Sequence, residues 1–171
     1  RQMFIRERTV CTVSGHVDDV NISSVTGKMY VNNQFIQNIP LSSTGDYSVP
    51  YLYTNTAEIR LVFEKDGCLP TYRTAHIYYT NGTDQHYYLE EAVLKNFNLN
   101  YITVSSTGEG SFLSVSDAIE YLREYVLSGA YNGENVRIFI LPGIHQEDID
   151  ISLLASLNIP NFTLQGTNDT I

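Results

Sequence analysis

The stretch VRIFILPGIHQEDIDIS, Val136 to Ser152, decides the fold. VRIFIL carries apolar residues on both faces, the pattern of a strand covered on both sides, as in parallel sheets. Pro142-Gly143 turns the chain. DIDIS then alternates, with Ile149 and Ile151 on one face. A polar connection leads to NFTLQG, where Phe162 and Leu164 alternate again. Three short strands without a returning hairpin signal predict one coil of a parallel solenoid.

Upstream, YITVSS reads as a short strand and TGEG as a turn. The one clear helix follows, SVSDAIEYLREYVLSGA. Val115, Ala118, Ile119, Leu122 and Val126 form a single apolar stripe at helical spacing. Ser114 with Asp117 makes an N-cap pair, and Gly129 suits the C-terminal stop. Burying the four large residues of that stripe is worth on the order of 6–12 kcal/mol before entropy is counted. The helix therefore needs an apolar surface to lie on, and the strands after it provide one.

In this order of elements, residues 101–171 resemble the N-terminal end of the pectin lyase-like family, the right-handed parallel β-helices. The resemblance is carried by Val104, Gly108, Gly110, Phe112, Ala118 and Ile119. It continues through Ile138, Ile140, Pro142, Gly143, Glu147, Ile149 and Ile151, and then Thr163, Leu164 and Gly166. His145 stands where the family usually has Tyr. The resemblance implies that the helix caps the first coil of a longer stack. It also implies that the catalytic residues of such enzymes lie on later coils, so none is carried over to this chain.

Residues 1 to about 95 lack helical periodicity. Strands are expected at Thr9–Val17, Lys28–Val31, Gly45–Val49, Ile59–Lys65, Ala75–Tyr79 and His86–Glu90. Turn signals at Asn32-Asn33, Thr44-Gly45-Asp46, Asp66-Gly67 and Asn81-Gly82 separate them, as in a β-sandwich. Gly15, inside the first strand, implies a bulge or a close approach to the backbone. Val13, Gly15 and Val17, then Thr44, Gly45 and Tyr47, then Phe63 and Gly67 resemble the carboxypeptidase regulatory-like family, a transthyretin-like β-sandwich. Cys68 stands where that family usually has an aromatic residue. The resemblance implies a non-catalytic accessory module over 1–95, ahead of the cap and first rung over 96–171.

A formal net charge of −9 argues against nucleic acid, because a phosphate-tracking surface needs clustered Lys and Arg. No apolar run is long enough to span a bilayer. The chain opens on Arg, so a mature or truncated piece of a longer protein is expected. With 13 Tyr, no Trp and many Asn, Ser and Thr, the composition matches a secreted or surface β-protein. Sequons stand at Asn21, Asn81, Asn161 and Asn168; chance gives about two in a chain this rich in Asn, Ser and Thr, so they say little about glycosylation.

Candidate residues are few. IYYTNGTDQHYY is expected to form a hairpin, with Tyr79 and Tyr87 as candidate sugar-facing side chains. The alternative, cross-strand aromatic pairing, needs no ligand and is the favoured reading. Cys11 and Cys68 allow one disulfide, against two unpaired thiols behaving as small hydrophobes. His16, Asp18 and Asp19 do not converge on a metal, because neighbours on a strand point to opposite faces. Glu147 and Asp148 with His145 invite an acid–base reading, but the resemblance implies a structural role for the Glu147 position, next to the turn. No metal or cofactor is expected. The functional expectation is a non-catalytic region of a larger secreted or surface β-helix protein that binds or acts on polysaccharide. The alternatives are the front of a pectin-degrading lyase, esterase or hydrolase, and an adhesin or stalk. The open edge of the coil would let copies of the chain pair.

Overall fold

A computed structural model describes residues 9–53, 55–78, 82–150 and 152–168. The chain is mainly β, with three sheets, none of them closed. In the first half, β1 (Thr9–Asp18) sits between β4 (Asp46–Tyr53), antiparallel to it, and β7 (Gln85–Tyr88), parallel to it. The short β8 (Ala92–Val93) continues beside β1, also in parallel. A second sheet has the order β3-β2-β5-β6, from β2 (Thr26–Val31), β3 (Gln34–Ile39), β5 (Ala57–Glu64) and β6 (Thr71–Ile77). Both sheets contribute to one apolar core: Cys11, Val13, Val17 and Val49 from the first, Met29, Ile59, Leu61, Phe63 and Ile77 from the second.

Asn32 and Asn33 both take positive φ and join β2 to β3 in the two-residue turn that suits twisted strands. β3 is absent from the strands expected above because it is an edge strand with a register shift, opposite Met29 and Tyr30. That shift leaves Ile36 out of the pairing, breaks the alternation and blunts the edge. At Gly15 a side chain, not a bulge, sets the requirement. Tyr47 is its register partner, and a Cβ on Gly15 would lie 2.3 Å from the Tyr47 hydroxyl.

The expected hairpin between residues 75 and 90 does not form. β6 pairs with β5 in one sheet and β7 with β1 in the other, so the link between them crosses sheets. β7 fills the open edge of β1 instead of folding back on β6.

In the second half, β9 (Ile102–Val104), β10 (Val136–Ile140) and β11 (Phe162–Gly166) form a parallel sheet of order β11-β10-β9. Ile102, Ile138 and Leu164 share one ladder of this sheet. The strands are thus neighbouring rungs of one sheet, not successive sides of a single coil. The strand expected at DIDIS is not there: residues 141–150 carry none, Ile151 lies outside the described residues, and α2 (Ser152–Ser156) follows. The reason is local. The Asp150 carboxylate accepts hydrogen bonds from the Ser152 N–H (3.0 Å) and hydroxyl, an Asx turn that starts a helical turn instead.

The helix α1 (Val115–Leu127) buries Val115, Ala118, Ile119, Tyr121 and Leu122. Ser114 Oγ accepts from the Asp117 N–H at 3.1 Å, and Gly129 ends the helix at φ +81°. The reciprocal half of the cap is missing, because Asp117 Oδ2 accepts instead from the Thr74 hydroxyl on β6 at 2.9 Å.

Residues on both sides of position 95 make a second core. Val62, Leu69 and Tyr72 pack there with Ile102, Val104, Phe112, Leu122 and Ile138. β5 is therefore buried on both faces, Leu61 toward the first core and Val62 toward the second. Arg73, fully buried, fastens this junction. Its guanidinium donates to the carbonyls of Glu91 (2.7 Å), Gly108 (3.0 Å), Gly110 (3.0 Å) and Tyr72 (2.8 Å). Burial pulls its pKa down to about 10, which leaves it charged at neutral pH.

Candidate functional site

Among the residues singled out in the sequence, Tyr79 lies outside the described residues. Tyr87 turns toward the first core, with its hydroxyl on Gln85 Oε1. The alternation holds with Tyr88 as the solvent-facing member, 77% exposed and stacked on His86 at 4.1 Å. With β6 and β7 in different sheets, no cross-strand pair joins them. The contact instead runs along β7, between residues two apart.

His86 Nε2 is 2.8 Å from Ser14 Oγ, and Ser14 donates to Ser48 Oγ at 3.1 Å. Which partner donates between Ser14 Oγ and His86 Nε2 is set by the imidazole tautomer. The patch is an exposed row of hydroxyls beside the stacked His86 and Tyr88 rings.

His16 bonds Glu91 Oε2 through Nδ1 and the Thr44 carbonyl through Nε2, both at 2.9 Å. The Glu91 hydrogen bond, helped by the Thr44 carbonyl, raises its pKa above the usual imidazole value. Asp19 turns the other way, accepting from Lys65 Nζ at 2.8 Å, and its pKa falls accordingly. Among the described residues no group of three His, Cys, Asp or Glu could hold a metal ion. Cys11 is buried in the first core and Cys68 is half-buried at a bridge with Asn96. Both are free thiols, so the disulfide that the cysteine count allows is not formed; burial pushes Cys11 up to about 11.

Glu147 closes the N-terminus of α1. Its Oε2 accepts from the Val115 N–H at 2.8 Å, and its Oε1 accepts from the Ser116 N–H (2.9 Å) and hydroxyl (2.8 Å). A carboxylate there satisfies orphan donors and meets the positive end of the helix dipole. His145 Nε2 bonds the Leu141 carbonyl at 2.9 Å, and Asp148 is exposed. These three side chains share no site.

Among the concavities of the described residues, two are large. A groove of about 1080 Å³ lies where the 19–28 and 38–44 segments meet. Its walls are Asn, Ser and Thr with Asp19 and Lys28, over Ile22, Val25, Ile39 and Leu41, without an aromatic ring among the described residues. A second cleft, about 810 Å³, lies at the junction of β5, the 65–70 turn and α1. Tyr72, Tyr121 and Tyr125 form one wall, and Glu64, Asp66 and Glu124 supply carboxylates. An adjoining cavity of about 70 Å³ shares Val62, Glu64, Tyr72 and Glu124 and adds Tyr30, Asn33 and Arg60.

Arg60 is only 8% exposed, and its guanidinium lies over the Tyr72 ring at 5.2 Å. Glu58 is 3.7 Å away, and Nε has no hydrogen-bond partner among the described residues. Burial drives the Tyr72 hydroxyl far above its ordinary pKa, so it stays protonated; it donates to Glu124 at 3.4 Å. Sequence reasoning missed this cleft, because its walls come from residues about sixty positions apart with no shared motif.

No helix among the described residues is long and apolar enough to cross a membrane. No protein-family model and no curated protein matches the sequence.

Proposed function

We propose that this chain is a non-catalytic region of a larger secreted or surface protein: a transthyretin-like accessory sandwich joined to the cap and opening rungs of a right-handed parallel β-helix, with polysaccharide as the ligand of the whole. One observation carries the reading. Three parallel strands are held in register, with an amphipathic helix between the first and second that buries its apolar face against them. A solenoid begins this way: its terminal coil needs a lid, and its next rung needs a free edge. β11 offers that edge. Leu164, 42% exposed, ends the ladder that Ile102 and Ile138 begin inside the core. A following rung, or a second copy of the chain, would cover it.

The acid–base residues support the non-catalytic side of the proposal. Glu147 is used as a helix cap, and His145 and Asp148 are turned elsewhere. The polysaccharide side rests on the resemblance and on the hydroxyl-rich, aromatic surfaces. The test is incubation with pectin and other plant polysaccharides, read by product chromatography and paired with gel retardation by the same polymers. Retardation without products is expected. Released oligogalacturonides would overturn the non-catalytic reading and favour the pectin-degrading alternative. Neither retardation nor products would leave the stalk as the better account.

A further inference from the structure

We infer that the cleft between β5 and α1 is a sugar subsite selective for uncharged glycans, taking a neutral hexose unit and rejecting polyuronates. This narrows the polysaccharide reading above and rests on it.

The inference follows from what the cleft can hydrogen-bond. Its charged acceptors are the carboxylates of Glu64, Asp66 and Glu124, of which Glu64 is paired with Lys28 Nζ at 3.5 Å. Its one ammonium, Lys65, is already held by Asp19 at 2.8 Å. In the adjoining cavity, the Arg60 guanidinium is desolvated and its Nε–H has no acceptor among the described residues. A buried donor left unpaired is costly, so a ligand that brings an acceptor gains there. A polyuronate keeps ring hydroxyls that can donate, but its own carboxylates meet those of Glu64, Asp66 and Glu124 at the mouth. A cation has no acceptor to offer Arg60. Hydroxyl groups do both, because each donates and accepts.

Size agrees with this choice. The main cleft is in the range that holds small ligands, and such clefts favour junctions between packed units. The adjoining cavity, about 70 Å³, has room for a hydroxymethyl arm but not for a ring. Tyr125, half-buried on α1 and supported by Phe97 (centroids 5.7 Å apart) and Tyr121 (5.9 Å), supplies a fixed aromatic surface beside the mouth. The net charge of −9 adds long-range repulsion of polyuronates.

The test is affinity gel electrophoresis of the full chain against neutral glycans (xyloglucan, galactomannan, mixed-linkage β-glucan) and against polygalacturonate. Wild type is compared with Tyr125→Ala, Glu124→Gln and Tyr88→Ala. Glu124 is exposed and Tyr125 half-buried, and a thermal melt of each variant checks that it folds. Retardation by at least one neutral glycan is expected, weakened about tenfold or more by Tyr125→Ala and by Glu124→Gln, with none by polygalacturonate. Neutral-glycan binding that survives both cleft variants, or falls only in Tyr88→Ala, overturns the cleft and leaves the polysaccharide reading standing. Preferential retardation by polygalacturonate overturns the selectivity alone. No retardation by any polymer removes both.

Discussion

Arg73→Ala is the perturbation whose cost the structure states most directly. The guanidinium ties β6 to the 90–91 and 108–111 segments through backbone carbonyls, with no carboxylate in hydrogen-bonding contact among the described residues. Truncation leaves the Glu91, Gly108 and Gly110 carbonyls without this donor. Each buried acceptor left unpaired costs about 1–3 kcal/mol. Water entering the vacated space recovers part of that, so a loss of about 3–5 kcal/mol is expected. In urea the midpoint should fall by roughly 2 M at a typical slope of about 2 kcal/mol/M. Arg73→Lys should recover less than half, because one ammonium cannot span carbonyls that a planar fork reaches together. A loss below about 1 kcal/mol for the alanine variant, or full recovery by lysine, would refute the reasoning.

The remaining predictions concern smaller contacts. Glu147→Ala should cost about 1–2 kcal/mol through the α1 N-terminus, and Glu147→Gln less, as measured by chemical denaturation. Gly15→Ala should destabilise by about 1–3 kcal/mol, because Tyr47 is buried against Phe63 and has little room to move. Tyr47→Phe should be neutral or stabilising, since the Tyr47 hydroxyl is buried without a hydrogen-bond partner among the described residues. The raised His16 pKa adds stability that is fully present below the unfolded value of about 6.5 and lost as pH rises through the higher folded value. Thermal melts from pH 5 to 8 should show that loss in the wild type and a flatter profile in His16→Gln; identical profiles would contradict it.

Local signals in the sequence were reliable where one element decided its own form. The α1 stripe, its Ser114 cap and its Gly129 stop depend on residues three or four apart, and all three are in the structure. The strands at 102–104, 136–140 and 162–166 were likewise legible from runs of β-branched and aliphatic residues. DIDIS misled because alternation and an Asx turn use the same residues, and the Asp150 side chain decided between them. The edge strand β3 was hidden by its own bulge. The partner of β7 could not be read locally, since TNGTDQ fits a hairpin turn as well as a crossing between sheets.

The candidate site was less legible than the fold. Arg60 and Arg73 are ordinary strand residues in sequence. Their importance comes from burial by α1 and by the 105–112 segment, which no local pattern announces. For the hairpin tyrosines, the sequence gives alternation but not its phase. Pairing of β7 with β1 set the phase, turning Tyr87 inward and Tyr88 to solvent.

The central claim is the parallel ladder under the helical cap, and interstrand nuclear Overhauser contacts test it most directly. The account predicts backbone contacts placing Val136 beside Phe162, Ile138 between Ile102 and Leu164, and Ile140 beside Gly166. Contacts that set Val136 against Gly166 and Ile140 against Phe162 would mean antiparallel pairing and contradict it.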